Sequence, residues 1–380
     1  MKRRRFLQAA AAPMILAETP LAKEPEPAVP AYRIVSRYKP AAKPGMPGPY
    51  PGHVVRVHAA RSIDAETEKI DATVVRDMIA RGMTALTGDS DPRDSWARFF
   101  SRDDVVGIKV NCSGAPGIMS SPEVVAEIVR NLGTIGVKPG QIYVYERFKS
   151  QMDSVHYDRY LPPGVNLWAA EESRGSVLGY DPATYVDVNF FGEEDTRSNL
   201  VRLVSERFTK IINMPNMKDH GAAGVTGCLK NIAYGDFSNV ARSHRREKTN
   251  TYSFIGTLAS VEPLRSRTVL QVMDGLRGVW HGGPFSPNRK FRFFPKEMMF
   301  GTDPVALDRI LIDIIDGKRK AEGAMSVWNR SMANVKPGRG YDDNPNIDRF
   351  IREPGHIEYS SRLGLGMYDI AKFKIRKIEL

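Results

Sequence analysis

Hydrophobic and polar positions along this chain follow a strand–helix–strand rhythm. Val54-Val55-Arg56-Val57-His58 alternates as a strand entering a sheet does. Residues 72–86 repeat apolar side chains at helical spacing, and 91–100 predict a short helix around Trp96. Residues 105–110 form a compact apolar strand that ends in Asn111-Cys112-Ser113-Gly114-Ala115-Pro116-Gly117, a loop rich in breakers. Ser121, Pro122 and Glu123 are helix-start signals: a capping hydroxyl, a proline for the first turn and an acid beside it. The helix they open reaches about Leu132, and 141–145 returns as a strand. A strand, helix and strand in that order imply a parallel pair. Further strands are predicted at 165–168, 185–190, 208–213, 268–273, 297–300 and, as an edge, 373–380. Helices are predicted at 221–233, 250–260, 305–315 and 356–365, the third capped by Thr302 or Asp303 with Pro304 in its first turn. The fold class is α/β: a mostly parallel open sheet flanked by helices, interrupted by a polar insertion at 317–345.

The two ends of this pattern are of another kind. Residues 1–22 join a basic start to a short apolar run, Phe6 to Leu16, too short to span a bilayer and shaped like an export signal. Arg3-Arg4-Arg5-Phe6-Leu7 resembles the twin-arginine signal, which makes the twin-arginine export machinery a partner and the periplasm, or another exported location, the destination. That route carries folded proteins, often with a cofactor inside; which cofactor, the residues do not name. Residues 23–53 hold Pro25, Pro27, Pro30, Pro40, Pro44, Pro47, Pro49 and Pro51, and read as a linker or a strapped extended arm. Residues 54–380 then form a single α/β domain.

Composition adds little constraint and one preference. With 42% hydrophobic and 26% charged residues the chain is ordinary for a globular protein. Its net charge is +11, of which Lys2, Arg3, Arg4 and Arg5 supply four. The remaining excess suits a solvated basic surface or an anionic small molecule; no aromatic-plus-basic module points to nucleic acid. Two cysteines, Cys112 and Cys228, are too few for a cysteine-only cluster or four-cysteine zinc site. They leave three states open: one disulfide, buried free thiols, or functional thiols.

The candidate chemistry lies in 211–235, IINMPNMKDHGAAGVTGCLKNIAYG. Here Lys218, Asp219, His220, Cys228, Lys230 and Asn231 crowd a strand end and a helix start, where open α/β sheets place ligands. Lys109 and Asn111 end another strand, and each pair two residues apart points one way in extended chain. Gly114 and its loop can bring backbone N–H groups to an anion, although the loop is neither a Walker nor a dinucleotide motif. On the helical reading of 221–233, Thr226 and Lys230 share a face. His220, Lys218 and Lys230 are the candidate catalytic groups. Lys109, Asn111, Cys112, Gly114, Asn231, Asp274 and Asp303 are the candidate ligand-binding groups, with Asp303 also readable as a plain helix cap. His220, Asp219, Asp274 and His281 lack the spacing of a metal site, and no metal is assigned. No G-x-S-x-G elbow is present. The basic loop 242–248 reads as a solvated face or a guide for anions.

Several of these segments together resemble the family catalogued as domain of unknown function number 362. They are VVGIKVN with SPEVVAEIVRNL, the 211–235 stretch, VMDGLRG, FGTDPVALDR and LGLGMYD, and the resemblance extends over about 54–380. It implies site positions at Lys109, Asn111, Lys218, His220, Lys230, Asn231, Asp274, Asp303 and Asp308. It implies no general activity. Some members carry separate cysteine-rich iron–sulfur segments; this chain has none, so that association does not transfer. The expected function is an exported enzyme acting on a phosphate- or carboxylate-bearing small molecule. The alternative is a periplasmic ligand- or cofactor-binding protein without turnover.

Overall fold

The computed structural model describes residues 26–244, 249–285, 288–336 and 343–380. The leader at 1–22, the first residues of the proline-rich arm and residues 245–248 of the basic loop lie outside them.

An eleven-stranded sheet organises the molecule. Its main path runs Lys374–Glu379, His53–His58, Glu297–Gly301, Thr268–Val279, Lys210–Asn213, Val106–Lys109, Ile142–Phe148 and Asn166–Glu171. Only Glu297–Gly301 runs antiparallel to its neighbours on this path; the other pairs are parallel. The βαβ unit is present as read: Val106–Lys109, the helix Pro122–Thr134, and Ile142–Phe148. The strands are apolar because both faces are covered. One buried cluster holds Ile79, Trp96, Ile108 and Ile128 beneath the helices Ala72–Thr87 and Pro122–Thr134. The other holds Ile211, Leu229, Phe254 and Leu311 beneath Cys228–Gly235, Thr251–Ala259 and Pro304–Ala321.

Two departures from the sequence reading bear on the site. The segment expected as a helix over 221–233 is a hairpin followed by a shorter helix. Asn216–His220 pairs antiparallel with Gly224–Thr226, and the helix Cys228–Gly235 starts only afterwards. Gly224 takes φ 79°, a left-handed backbone that suits glycine and no continuing helix. Thr226 therefore lies on a strand and shares no helical face with Lys230. The strand expected over 268–273 runs on to Val279: its first half pairs with Lys210–Asn213 and its second with Asn216–His220. The extension carries Asn216–His220 outward from the sheet and places His220 beside the strand ends.

Residues 26–52 lie along the domain surface. Arg33–Val35 joins Tyr180–Asp187 and Arg197–Val201 in a separate three-stranded sheet. Further on, the Gly45 and Met46 amides donate to Ser266 and Arg265 carbonyls, each at 3.1 Å, and Met46 is fully buried. Among the described residues no helix is long and apolar enough to cross a membrane.

Candidate functional site

The parallel strands deliver polar side chains to their carboxyl ends. Lys109, the Glu146–Arg147 pair and Glu171 end three adjacent strands there. With the hairpin, the Cys228–Gly235 helix and the 347–352 segment they line a cavity of about 1270 Å³. Of the predicted site residues, the cavity wall includes Lys109, Asn111, His220, Lys230 and Asn231.

Behind that wall runs a chain of buried amides. Asn111 Nδ2 donates to Asn231 Oδ1 at 3.1 Å, Asn231 Nδ2 to Asn213 Oδ1 at 2.8 Å, and Asn213 Nδ2 to Gln271 Oε1 at 2.7 Å. Each amide fixes the next, so the wall is pre-organised. Lys218 sits behind Asn111 and is absent from the cavity lining. Its ammonium donates to Asn111 Oδ1 at 2.7 Å, to the Ile118 carbonyl at 3.2 Å and, in a short contact, to the Ser113 carbonyl. Burial lowers its pKa to about 7. The three acceptors nevertheless match the three protons of the charged form, and they tie the 111–118 loop to the hairpin.

Lys109 is paired as well. Its Nζ donates to Glu146 Oε1 at 2.8 Å and to the Val110 carbonyl at 2.6 Å. The other Glu146 oxygen accepts from the Cys112 amide at 2.9 Å. Lys230 differs. It is 7% exposed, it is the only one of the three without an acceptor, and its Nζ stands 4.5 Å from the Tyr234 ring centroid. Burial first, and the Arg147 guanidinium second, lower its pKa to about 7.

His220 is held neutral. Its Nδ1 accepts from the Ala222 and Ala223 amides at 3.1 and 3.2 Å, which puts the ring proton on Nε2. Burial, then the charge of Lys230, pushes its pKa well below the usual imidazole range. The ring packs at 5.3 Å against His244, whose pKa burial lowers to about 3. His220 is thus a neutral imidazole whose Nε2–H is its available donor.

The structure does not bring the predicted aspartates to the cavity. Asp274 accepts from the Ser121 amide at 2.7 Å and the Leu276 amide at 3.0 Å. Asp303 caps Pro304–Ala321 through the Ala306 amide at 2.9 Å and also receives the Gly52 and Met367 amides. Asp308 receives Cys228 and Leu229 amides at 2.6 and 2.9 Å, closing the N-terminus of the Cys228–Gly235 helix. The starts of Pro122–Thr134 and Cys228–Gly235, expected to welcome an anion, thus hold carboxylates of the protein itself, and Asp303 is the helix cap it was readable as. Ser121 Oγ makes no capping bond; its backbone amide is the group used. Gly114, at φ 94°, shapes the loop without lining the cavity.

Cys112 and Cys228 are free, fully buried thiols, so the disulfide reading fails. Burial drives both thiol pKa values up, which removes the thiolate a nucleophile needs. Asp219 is engaged by Arg352 at 2.5 Å, and Arg352 is bidentate to Asp348 at 2.7 and 2.8 Å. Among the described residues no group of three or more His, Cys, Asp and Glu is placed to hold a metal ion. Arg242 of the basic loop is buried and anchored to Glu193 at 2.7 Å and to three further oxygens of the 188–198 segment.

Sequence reasoning missed Glu146, Arg147, Glu171 and Tyr234. Arg147 Nε donates to Glu171 at 2.9 Å and to the Tyr180 hydroxyl at 3.1 Å, and its terminal nitrogens make no hydrogen bond. A charged Glu-Arg pair closing the apolar strand at 142–148 was the available signal.

Fold and cavity define an open-sheet α/β protein with a crevice of ligand size at its strand carboxyl ends. The family model described as domain of unknown function (DUF362) matches residues 106–313, more than half of the chain, and the chain belongs to that family. No curated protein matches it.

Proposed function

We propose that this chain is an exported enzyme that binds an anionic small molecule, carrying carboxylate or phosphate, in the cavity walled by Lys109, Asn111, His220, Lys230 and Asn231. One observation carries the reading. The buried and half-buried charged groups around the crevice are matched in pairs: Lys109 with Glu146, Arg147 with Glu171, Arg352 with Asp219 and Asp348. Among the described residues, Lys230 alone is a buried cation on the wall with no counter-ion. An unpaired buried cation is unfavourable, and a bound anion relieves it. The His220 Nε2–H supplies a neutral donor, and the amide chain holds the wall still while a ligand binds. Export is supported by the Arg3–Leu7 pattern alone. Replacing Arg3 and Arg4 by Lys is expected to leave the protein in the cytoplasm; unchanged delivery would remove the twin-arginine route.

Mass spectrometry under native conditions, on protein purified from the periplasm, tests the binding. The expected result is a retained anionic molecule that Lys230→Met loses. A retained molecule without an anionic group would overturn the reading. Prolonged incubation separates the two functional classes: conversion marks the enzyme, and an unchanged ligand marks the alternative, a binding protein. In the enzyme, His220→Ala is expected to suppress turnover while most ligand affinity stays, because the Nε2–H donor is lost while Lys230 still meets the anion.

A further inference from the structure

We infer that the ligand carries an aldehyde or ketone carbonyl beside its anionic group, and that the Lys230 amine condenses with that carbonyl to form an imine. The inference rests on the anion-binding reading and names the reacting group of the same ligand.

Three lysines share this region, and their surroundings sort them. Lys109 has a carboxylate at 2.8 Å, and Lys218 has oxygen acceptors for all its protons. Lys230 has neither, so its nitrogen is open to the cavity. Its neighbours are flat, uncharged rings. Tyr234 lies under the amine and is fixed by a 2.6 Å bond from its hydroxyl to Ser243 Oγ. His244 packs edge-on to Tyr234 at 5.3 Å and against His220 at 5.3 Å. Desolvation there favours the free amine, and a pKa of about 7 leaves much of it neutral near neutral pH. In this setting the amine pairs with an anion when protonated and attacks a carbonyl when free.

The partner groups are also in place. His220 Nε2–H is the donor available to a carbonyl oxygen, since Nδ1 is taken by two backbone amides. Arg147 is anchored through Nε to Glu171, which leaves its terminal nitrogens open at the cavity wall, a fork suited to a carboxylate. Its positive charge reaches Lys230. Arg147, His220 and Lys230 line one cavity, an arrangement that suits an oxo acid with its carboxylate or phosphate on Arg147 and its carbonyl on Lys230.

The step balances without a redox partner. The nitrogen lone pair adds to the carbonyl carbon and gives a carbinolamine. The carbon–oxygen bond then breaks and the oxygen leaves as water. Counted from the ammonium, Lys–NH3+ and C=O become Lys–NH+=C and H2O, with charge conserved.

Reductive trapping tests it. The mature protein is incubated with sodium cyanoborohydride and, separately, pyruvate, glyoxylate and 2-oxoglutarate, then mapped by peptide mass spectrometry. The expected result is one reduced adduct, on Lys230. It is lost in Lys230→Arg, and it is weakened in Arg147→Met for these acids but not for propanal. Absence of a Lys230 adduct with all three acids, or labelling spread over other lysines with Lys230 spared, overturns the imine. In either case retention of a native anion by the wild-type protein leaves the anion-binding reading standing, whereas a wild-type protein that retains no anion removes both.

Discussion

Lys230 and Asp236 lie six residues apart, both buried, and their protonation pulls stability in opposite directions. The Lys230 pKa falls from 10.5 to about 7 on folding, so between those values the unfolded chain holds more protons and stability rises with pH. Lys230→Met removes that burden. It is expected to stabilise the unliganded protein, with the gain complete below about pH 7 and gone above about pH 10.5, in urea unfolding series across that range. Neither Asp236 carboxylate oxygen has a partner within hydrogen-bonding geometry, and the Lys109 charge and then the Tyr145 hydroxyl favour its ionisation only in part against burial. Burial raises its pKa from 3.8 to about 7, so the folded chain holds more protons in that window and stability falls as pH rises through it. Asp236→Asn is expected to stabilise above about pH 7 and to be neutral below about pH 4. A gain at acid pH only would contradict the assignment. Much of the wall was legible at this scale, because Lys109, Asn111, His220, Lys230 and Asn231 end apolar runs or open a helix. Asp303 was legible as the helix cap it is, whereas Asp274 and Asp308 were not, because each meets the amides of a helix start far away in the sequence. Asp219 and Arg352 were out of reach for another reason, since their contact closes a separation of 133 residues.

Among the elements, the Cys228–Gly235 helix is the one whose placement decides the site, because it carries both Lys230 and Asn231. Asp308 fixes its start through two amides at 2.6 and 2.9 Å, and Gly227 allows the approach: a Cβ there would stand 2.1 Å from an Asp308 oxygen. Asp308→Ala leaves two buried amides unpaired, a loss of about 2–4 kcal/mol. Chemical denaturation should show that loss, with ligand retention reduced as Lys230 shifts. Full stability in Asp308→Ala would refute the capping role. Burial raises the Asp308 pKa from 3.8 to about 7, so the loss is measured below about pH 4 and shrinks as pH rises. Helical periodicity across 221–233 misled because small residues satisfy a helix pattern and a hairpin turn equally. The φ of 79° at Gly224 and the pairing of Gly224–Thr226 with Asn216–His220 are tertiary outcomes.

At the scale of the whole molecule, one half of a parallel sheet supplies the wall, the long Thr268–Val279 strand carries the hairpin outward, and the C-terminal residues close the far side through Arg352. The proline-rich arm takes part in this assembly. Gly45 lies so close to Thr268 that a Cβ would stand 2.3 Å from its carbonyl oxygen, and the Gly52 amide donates to Asp303 at 2.9 Å. Removing 26–52 is expected to lower the melting temperature and open the Asp303 cap, measured by thermal unfolding of otherwise intact protein; an unchanged transition would make the arm dispensable. The central claim is that an unpaired lysine makes this cavity an anion site. Its most direct measurement is native mass spectrometry of the periplasmic protein beside Lys230→Met. A retained anionic molecule in the first and its loss in the second is the predicted result. Equal retention in both would contradict it.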